Sequence, residues 1–294
     1  MNWTVFLWQW EWRPEVVFSL GAFSLIYVLG WFRLRSKGAK RLASTSRFIS
    51  YLLGIVVLVI ALLSPVDTLQ SFLFSMHMVQ HLLLTMVAAP LIILGTPFPI
   101  GLHALHRPLR HGFVLLLGSN GPLRKVVKQI GRPLTSLFVF IGTFWLWHTP
   151  QAYTLALRYD IIHDIEHISF FVTGLFFWWH VTNTPPRFFA RLGYGWRIAL
   201  LALGFVQNEV LSVALSFAST PWYSYYEHVP QISGLTPLQD QRLGGAIMWV
   251  PGGMMYIIAI IVLLARLLDA EEKKAVLPLE TWGQEDAVRA PGWE

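Results

Sequence analysis

The chain contains no cysteine. Disulfides, thiolate metal sites and iron–sulfur clusters are therefore excluded, and any metal must be held by histidine, methionine, carboxylate or carbonyl groups. Charge is also scarce: 13% of the residues are Asp, Glu, Lys or Arg, against roughly a quarter in soluble domains. The opening segment, MNWTVFLWQWEWRPE, lacks a basic start and a small-residue cleavage site. It reads as a retained interfacial belt of tryptophans, not as a removed signal peptide. No phosphate loop, HExxH zinc motif, nucleophile motif or internal repeat is present.

Apolar residues are abundant, at 55%, and they come in long blocks. A span needs roughly 20 mainly apolar residues to cross a hydrocarbon core about 30 Å thick. Its backbone polar groups must pair within the segment, so such spans are helices. The sequence thus predicts an all-α polytopic membrane bundle with seven transmembrane helices, at about Glu15–Phe32, Ser46–Ser64, Leu69–Gly95, Leu134–Thr149, Ile161–Thr182, Arg197–Ser219 and Gly244–Leu268. Residues 1–268 form a single transmembrane domain in this reading, with a basic cytoplasmic loop at 96–132, and 269–294 form a polar cytoplasmic tail.

The net charge of +6 is placed by topology and needs no nucleic-acid partner. Arg33, Arg35, Lys37, Lys40, Arg41 and Arg47 follow the first span. Arg107, Arg110, Arg124, Lys125, Lys128 and Arg132 follow the third, and Arg187, Arg191 and Arg197 follow the fifth. The alternate loops hold only Arg158 and Arg242. The positive-inside rule then puts the N-terminus outside and the C-terminus in the cytoplasm. The 96–132 loop reads as an amphipathic segment facing anionic membrane lipid, with a re-entrant or partner-docking segment as the alternative.

With that topology, five histidines from three spans fall in one layer near the external face: His77 and His81, His148, and His163 and His167. Residues i and i+4 share a helix face, so each of the two HxxxH pairs can chelate a metal ion. Imidazole suits copper, zinc, iron or nickel. Asp164 and Glu166 flank the second pair, where a carboxylate can hold the outer nitrogen of a metal-bound histidine. Intramembrane ionisable groups are rare and usually functional. The plainer reading, a hydrogen bond to a neighbouring helix, fits His148 taken alone and His180. Glu209 either faces the site or joins Gln207 and Asn208 in a helix contact. The methionines are mostly packing residues, Met248 being the best candidate for a soft ligand. Pro251, Gly252 and Gly253 interrupt the seventh span.

HMVQHLLLTMVAAPLIILGTP, WLWHTPQAYTLAL, HDIEHISFFVTGLFFWW and DQRLGGAIMWVPGGMMY together resemble the CtaG-like multi-span family of cytochrome c oxidase assembly factors. The single-span, cysteine-containing copper protein of the same name is a different type. The resemblance covers roughly 72–268. It implies a bacterial plasma-membrane protein that matures a haem–copper oxidase as a chaperone rather than an enzyme, with copper as the favoured cargo. Oxidase subunits and an external copper donor would be its partners. Carried over by position, its motif residues are His77, His81, His148, His163, His167, Asp240 and Met248, expected as metal ligands. His180 departs from the pattern, standing where the family is expected to have proline.

Three other readings compete. A haem-binding electron-transfer protein would stack ligands several turns apart, whereas these pairs are about 6 Å apart, so only one haem fits. A di-iron or zinc enzyme would recruit Asp164, Glu166, Glu209 or Asp240 and keep an open coordination position. A copper transporter would need a polar path to the cytoplasm, for which His180 is the only deep candidate.

Overall fold

The computed structural model describes residues 8–118, 121–186 and 188–273, and among these it is all-helical, without strands. Trp3 of the proposed belt, Arg187, and positions 274–294 of the tail lie outside the described residues.

Proline starts most of the helices, as its fixed φ and missing N–H suit a first turn. Helix α1 is Pro14–Ser36, α2 is Thr45–Leu63 and α3 is Pro65–Leu69. Helix α4, Phe74–Leu94, is the most buried of the candidate spans. It contains a π-helical stretch at Leu83–Ala88. Short helices α5 (Pro97–Gly101), α6 (Arg107–Leu117) and α7 (Pro122–Ile130) follow. Then come α8 (Pro133–Trp147), α9 (Pro150–Arg158), α10 (Asp160–Thr182) and α11 (Tyr194–Ser216). The last helix, α12, spans Pro237–Glu272, with a π-helical stretch at Met248–Gly252 around Pro251.

Helix α4 is the hub. Its middle and C-terminal end pack on α2 and α10, and its first turns pack on the start of α12, which in turn lies on α11. Gln80 ties α4 to α2 and α3, donating to Ala61 O at 2.7 Å and Asp67 Oδ1 at 2.6 Å. The first turn of α4 has no cap from its own segment. Asp240 of α12 supplies one, accepting from Phe74 N at 2.6 Å, from Ser75 N at 3.4 Å and from Ser75 Oγ. A carboxylate at a helix N-terminus satisfies amides that have no intrahelical acceptor and complements the helix dipole.

The helices fall close to the expected segments, with informative differences. Among the described residues, five helices are long and apolar enough to cross a membrane, or six if Pro122–Gln129 and Pro133–Trp147, bent by 66°, form one span. The expected seven differ at α8, which has only 15 residues, and at α10, which is 23 residues long but carries four buried charged or imidazole side chains. The expected third span begins later, because Leu69 closes the separate helix α3. The expected seventh begins earlier, at Pro237, behind a Thr236–Gln239 capping box. Asp240 and Gln241 are therefore buried within α12 rather than standing at its mouth. The basic loop is three short helices, of which α6 buries no residue, as a surface segment would.

Close approach of α12 to α4 and to α11 requires glycine. A Cβ on Gly244 would lie 2.4 Å from Phe74 Cδ1, and one on Gly245 would lie 2.6 Å from Ser216 Oγ. Gly244→Ala is predicted to destabilise the protein by about 1–3 kcal/mol through overpacking, read as a lower Tm in detergent. Gly21→Ala, which meets nothing within 4 Å, should leave it unchanged.

Candidate metal centre

Five histidines converge at one end of the bundle, the end opposite Arg33, Arg35, Arg132 and Arg197. His77 and His81 come from the first turns of α4. His163 and His167 come from the first turns of α10, and His148 caps the end of α8. All five are buried. Ring centroids lie 4.3 Å apart for His77–His81, 4.0 Å for His163–His167 and 5.3 Å for His77–His163. His81 stands 5.7 Å from His167 and 6.1 Å from His148. The α4/α10 contact thus sets the two i,i+4 pairs face to face.

Glu166 joins them. Fully buried, it reaches His77 Nε2 with one carboxylate oxygen and His81 Nε2 with the other, each at 3.5 Å. The two carboxylates flanking the second pair therefore differ in role. Asp164 turns away and receives Arg13 Nη2 at 2.6 Å, closing the start of α10 against the residue that precedes α1. In the copper reading the sequence suggested Glu166 as an outer partner of a ligand, and as a direct ligand only in the enzyme reading; its place among the rings depends on the phase of α10, one step before His167.

The proton inventory fixes which ring atoms are free. Tyr226 Oη donates to Gln70 O at 3.0 Å, which uses its one proton. In the 2.8 Å contact between Tyr153 and Tyr226, Tyr153 must then be the donor. Its own proton spent, Tyr153 can only accept from His77 Nδ1, also at 2.8 Å. His77 is thereby assigned the Nδ1–H tautomer, with the Nε2 lone pair aimed into the cluster. His148 is fixed in the same way, its Nδ1–H donating to Phe144 O at 2.7 Å. Sequence reasoning missed Tyr153 and Tyr226. Tyr153 stands inside the quoted WLWHTPQAYTLAL segment, but nothing in one sequence places it against a residue 76 positions away.

Several polar atoms of the cluster are left unpaired. Nε2 of His77, His81, His148, His163 and His167, Nδ1 of His81, and both Glu166 oxygens are buried without a hydrogen-bond partner. Most buried polar side-chain atoms have one, and leaving one unmade costs about 1–3 kcal/mol. Ligand atoms of His77, His163 and His167 lie within 4.8 Å of one another, as do those of His77, His81 and Glu166. In a tetrahedral site with 2.0–2.1 Å bonds, donor atoms are ~3.4 Å apart, so small side-chain shifts would close either set on an ion. The donors fit a transition metal that takes imidazole and carboxylate.

The other expected residues lie apart from these sets. Asp240 is occupied in capping α4, as described. Met248 packs with Phe74, Met78 and Leu211 and lines, with His81, His148 and Asn208, a cavity of ≈ 30 Å³. Asn208 donates to Met248 O at 3.0 Å, a carbonyl in the π-helical stretch of α12, and to Glu209 Oε1 at 3.4 Å. His180 Nε2–H donates to Gly131 O at 2.8 Å and ties α10 to the turn before α8.

The family described as cytochrome c oxidase caa3 assembly factor (Caa3_CtaG) matches residues 25–270. The chain belongs to that family. An uncharacterized protein of Mycobacterium leprae is 28% identical over 279 residues, covering 90% of this chain and 40% of its own length. Uncharacterized proteins of Mycobacterium bovis and Mycobacterium tuberculosis are each 29% identical over 261 residues, covering 85% of this chain and 37% of their own. The chain thus spans well under half the length of these curated relatives. No solved structure matches it.

Tyr153→Phe removes the link between His77 and Tyr226. It is predicted to cost about 1–3 kcal/mol, read as a lower Tm in detergent. Asp240→Ala is predicted to cost a similar amount, because two amides at the start of α4 lose a charged acceptor.

Proposed function

We propose that this protein handles copper for the maturation of a haem–copper cytochrome c oxidase, binding the ion at the His/Glu cluster. Membership in the assembly-factor family supports the maturation role. The observation that carries the metal reading is the cluster itself: five buried imidazoles and one buried carboxylate brought together, with the Nε2 atom of every ring and both carboxylate oxygens left without hydrogen-bond partners. Copper is the metal that a haem–copper oxidase needs and that imidazole binds well. In this reading α8 and α10 complete a seven-span topology. The basic loops lie in the cytoplasm, the N-terminus lies outside, and the centre sits near the external face of a bacterial plasma membrane. An external copper donor and the oxidase subunits would be its partners, the first delivering the ion and the second receiving it. The chemistry asked of the chain is binding and release, so its role is that of a chaperone rather than an enzyme. His77, His81, His163, His167 and Glu166 hold the ion, and His148 stands beside them. Tyr153 keeps His77 in the ligand tautomer, and metal-bound histidines commonly rely on such an outer hydrogen bond.

One observation favours a second reading, haem binding. An apolar cavity of ≈ 620 Å³ between α1, α2 and α10 reaches His167, and a porphyrin seated there would have one histidine within reach.

The two readings separate in one preparation. Protein purified in detergent is expected to hold copper, counted by mass spectrometry, without a haem band in the visible spectrum. His77→Ala combined with His81→Ala should lower the copper content at least tenfold and abolish assembly of an active oxidase in cells lacking the native protein. A haem band would overturn the copper reading. Iron or zinc in place of copper would point back to an enzyme.

A further inference from the structure

Two sets of three donors in the cluster each have their ligand atoms within 4.8 Å of one another. They are His77/His163/His167 and His77/His81/Glu166, and His77 belongs to both. His77 has a single nitrogen to give, because Nδ1–H is committed to Tyr153 and only Nε2 is unpartnered. One imidazole nitrogen carries one lone pair and serves one metal ion at a time.

Resting on the metal reading above, we infer that the centre holds a single ion that can occupy either of two overlapping subsites, with His77 Nε2 as the shared ligand and Glu166 as a direct ligand of the second. The first subsite is all-imidazole. It is formed with the start of α10, where Arg13 and Asp164 meet. The second contains a carboxylate and adjoins the small cavity that His81 shares with His148 and Met248. Moving the ion between them requires no exchange at His77. His163 and His167 let go while His81 and Glu166 take hold, so the ion never loses all its protein ligands. The two subsites differ in chemistry. Carboxylate is a harder donor than imidazole, so the second favours divalent ions, whereas the first has no charged ligand.

The test is to load the detergent-purified full chain with excess Cu(II), remove unbound metal, count copper per chain by mass spectrometry, and record the EPR spectrum. The wild type is expected to hold one copper per chain. The pair His163→Ala/His167→Ala and the pair His81→Ala/Glu166→Gln should each retain one copper, with EPR parameters that differ from one another. His77→Ala should lose at least nine-tenths of the bound copper. Glu166→Gln alone, a near-isosteric change, should keep the stoichiometry while shifting the spectrum toward pure nitrogen coordination. Size-exclusion profiles identify any variant that has not folded, and Glu166→Gln then serves as the deciding variant. Two coppers per chain in the wild type would overturn the inference in favour of a dinuclear centre. Loss of copper from both double variants, with folding intact, or an unchanged spectrum in Glu166→Gln, would overturn it in favour of one undivided histidine site. No copper in the wild type would overturn the metal reading itself.

Discussion

Burying a group of imidazoles and a carboxylate inside an apolar bundle, with their lone pairs facing one another, is the constraint around which this fold is organised. Each unpaired atom opposes folding, and in a membrane interior water offers little relief. The helices that carry them are accordingly held from outside the cluster. Asp240 caps α4 from α12, Gln80 ties α4 to α2 and α3, and Arg13 closes over the start of α10. None of these three is directed at an ion. They fix the backbones on which His77, His81, His163 and His167 stand, so that the free nitrogens meet.

Stability and function are linked through α4. Its first turn supplies His77, receives the Asp240 cap and packs Phe74 against Gly244. Its second supplies Gln80 and His81. The tyrosine chain from Gln70 through Tyr226 and Tyr153 to His77 adds a further restraint, and it selects the tautomer as well as the position of the ring. The outer layer of the site is thus built from residues that would pass in the sequence as ordinary aromatic packing.

Much of this could be read from one sequence because membrane helices announce themselves. Long apolar blocks located the main helices, most closely at α1, α2, α8, α10 and α11, and i,i+4 spacing put His77 with His81 and His163 with His167. Depth along each helix then suggested that the pairs meet. The rest depended on rotation and on contacts distant in sequence. Whether Asp164 or Glu166 faces the rings is a matter of helix phase, and the sequence weighed them equally. Asp240 sits in a conspicuous motif beside the site, which is why it reads as a ligand; only its contacts with Phe74 and Ser75 show that it caps α4. Helix α10 escapes a length-and-hydropathy test because the side chains that give it a role also make it polar. Tyr153 and Tyr226 carry no spacing signal.

If copper sits among the nitrogen and oxygen donors of this cluster, X-ray absorption at the copper edge of the loaded protein will reveal them. The spectrum is expected to show nitrogen and oxygen scatterers only, near 2 Å as for imidazole and carboxylate ligands, with the more distant pattern of imidazole rings that disappears in His77→Ala. A sulfur scatterer, which in a chain without cysteine would come from methionine, or a spectrum unaffected by His77→Ala, would contradict that placement of copper.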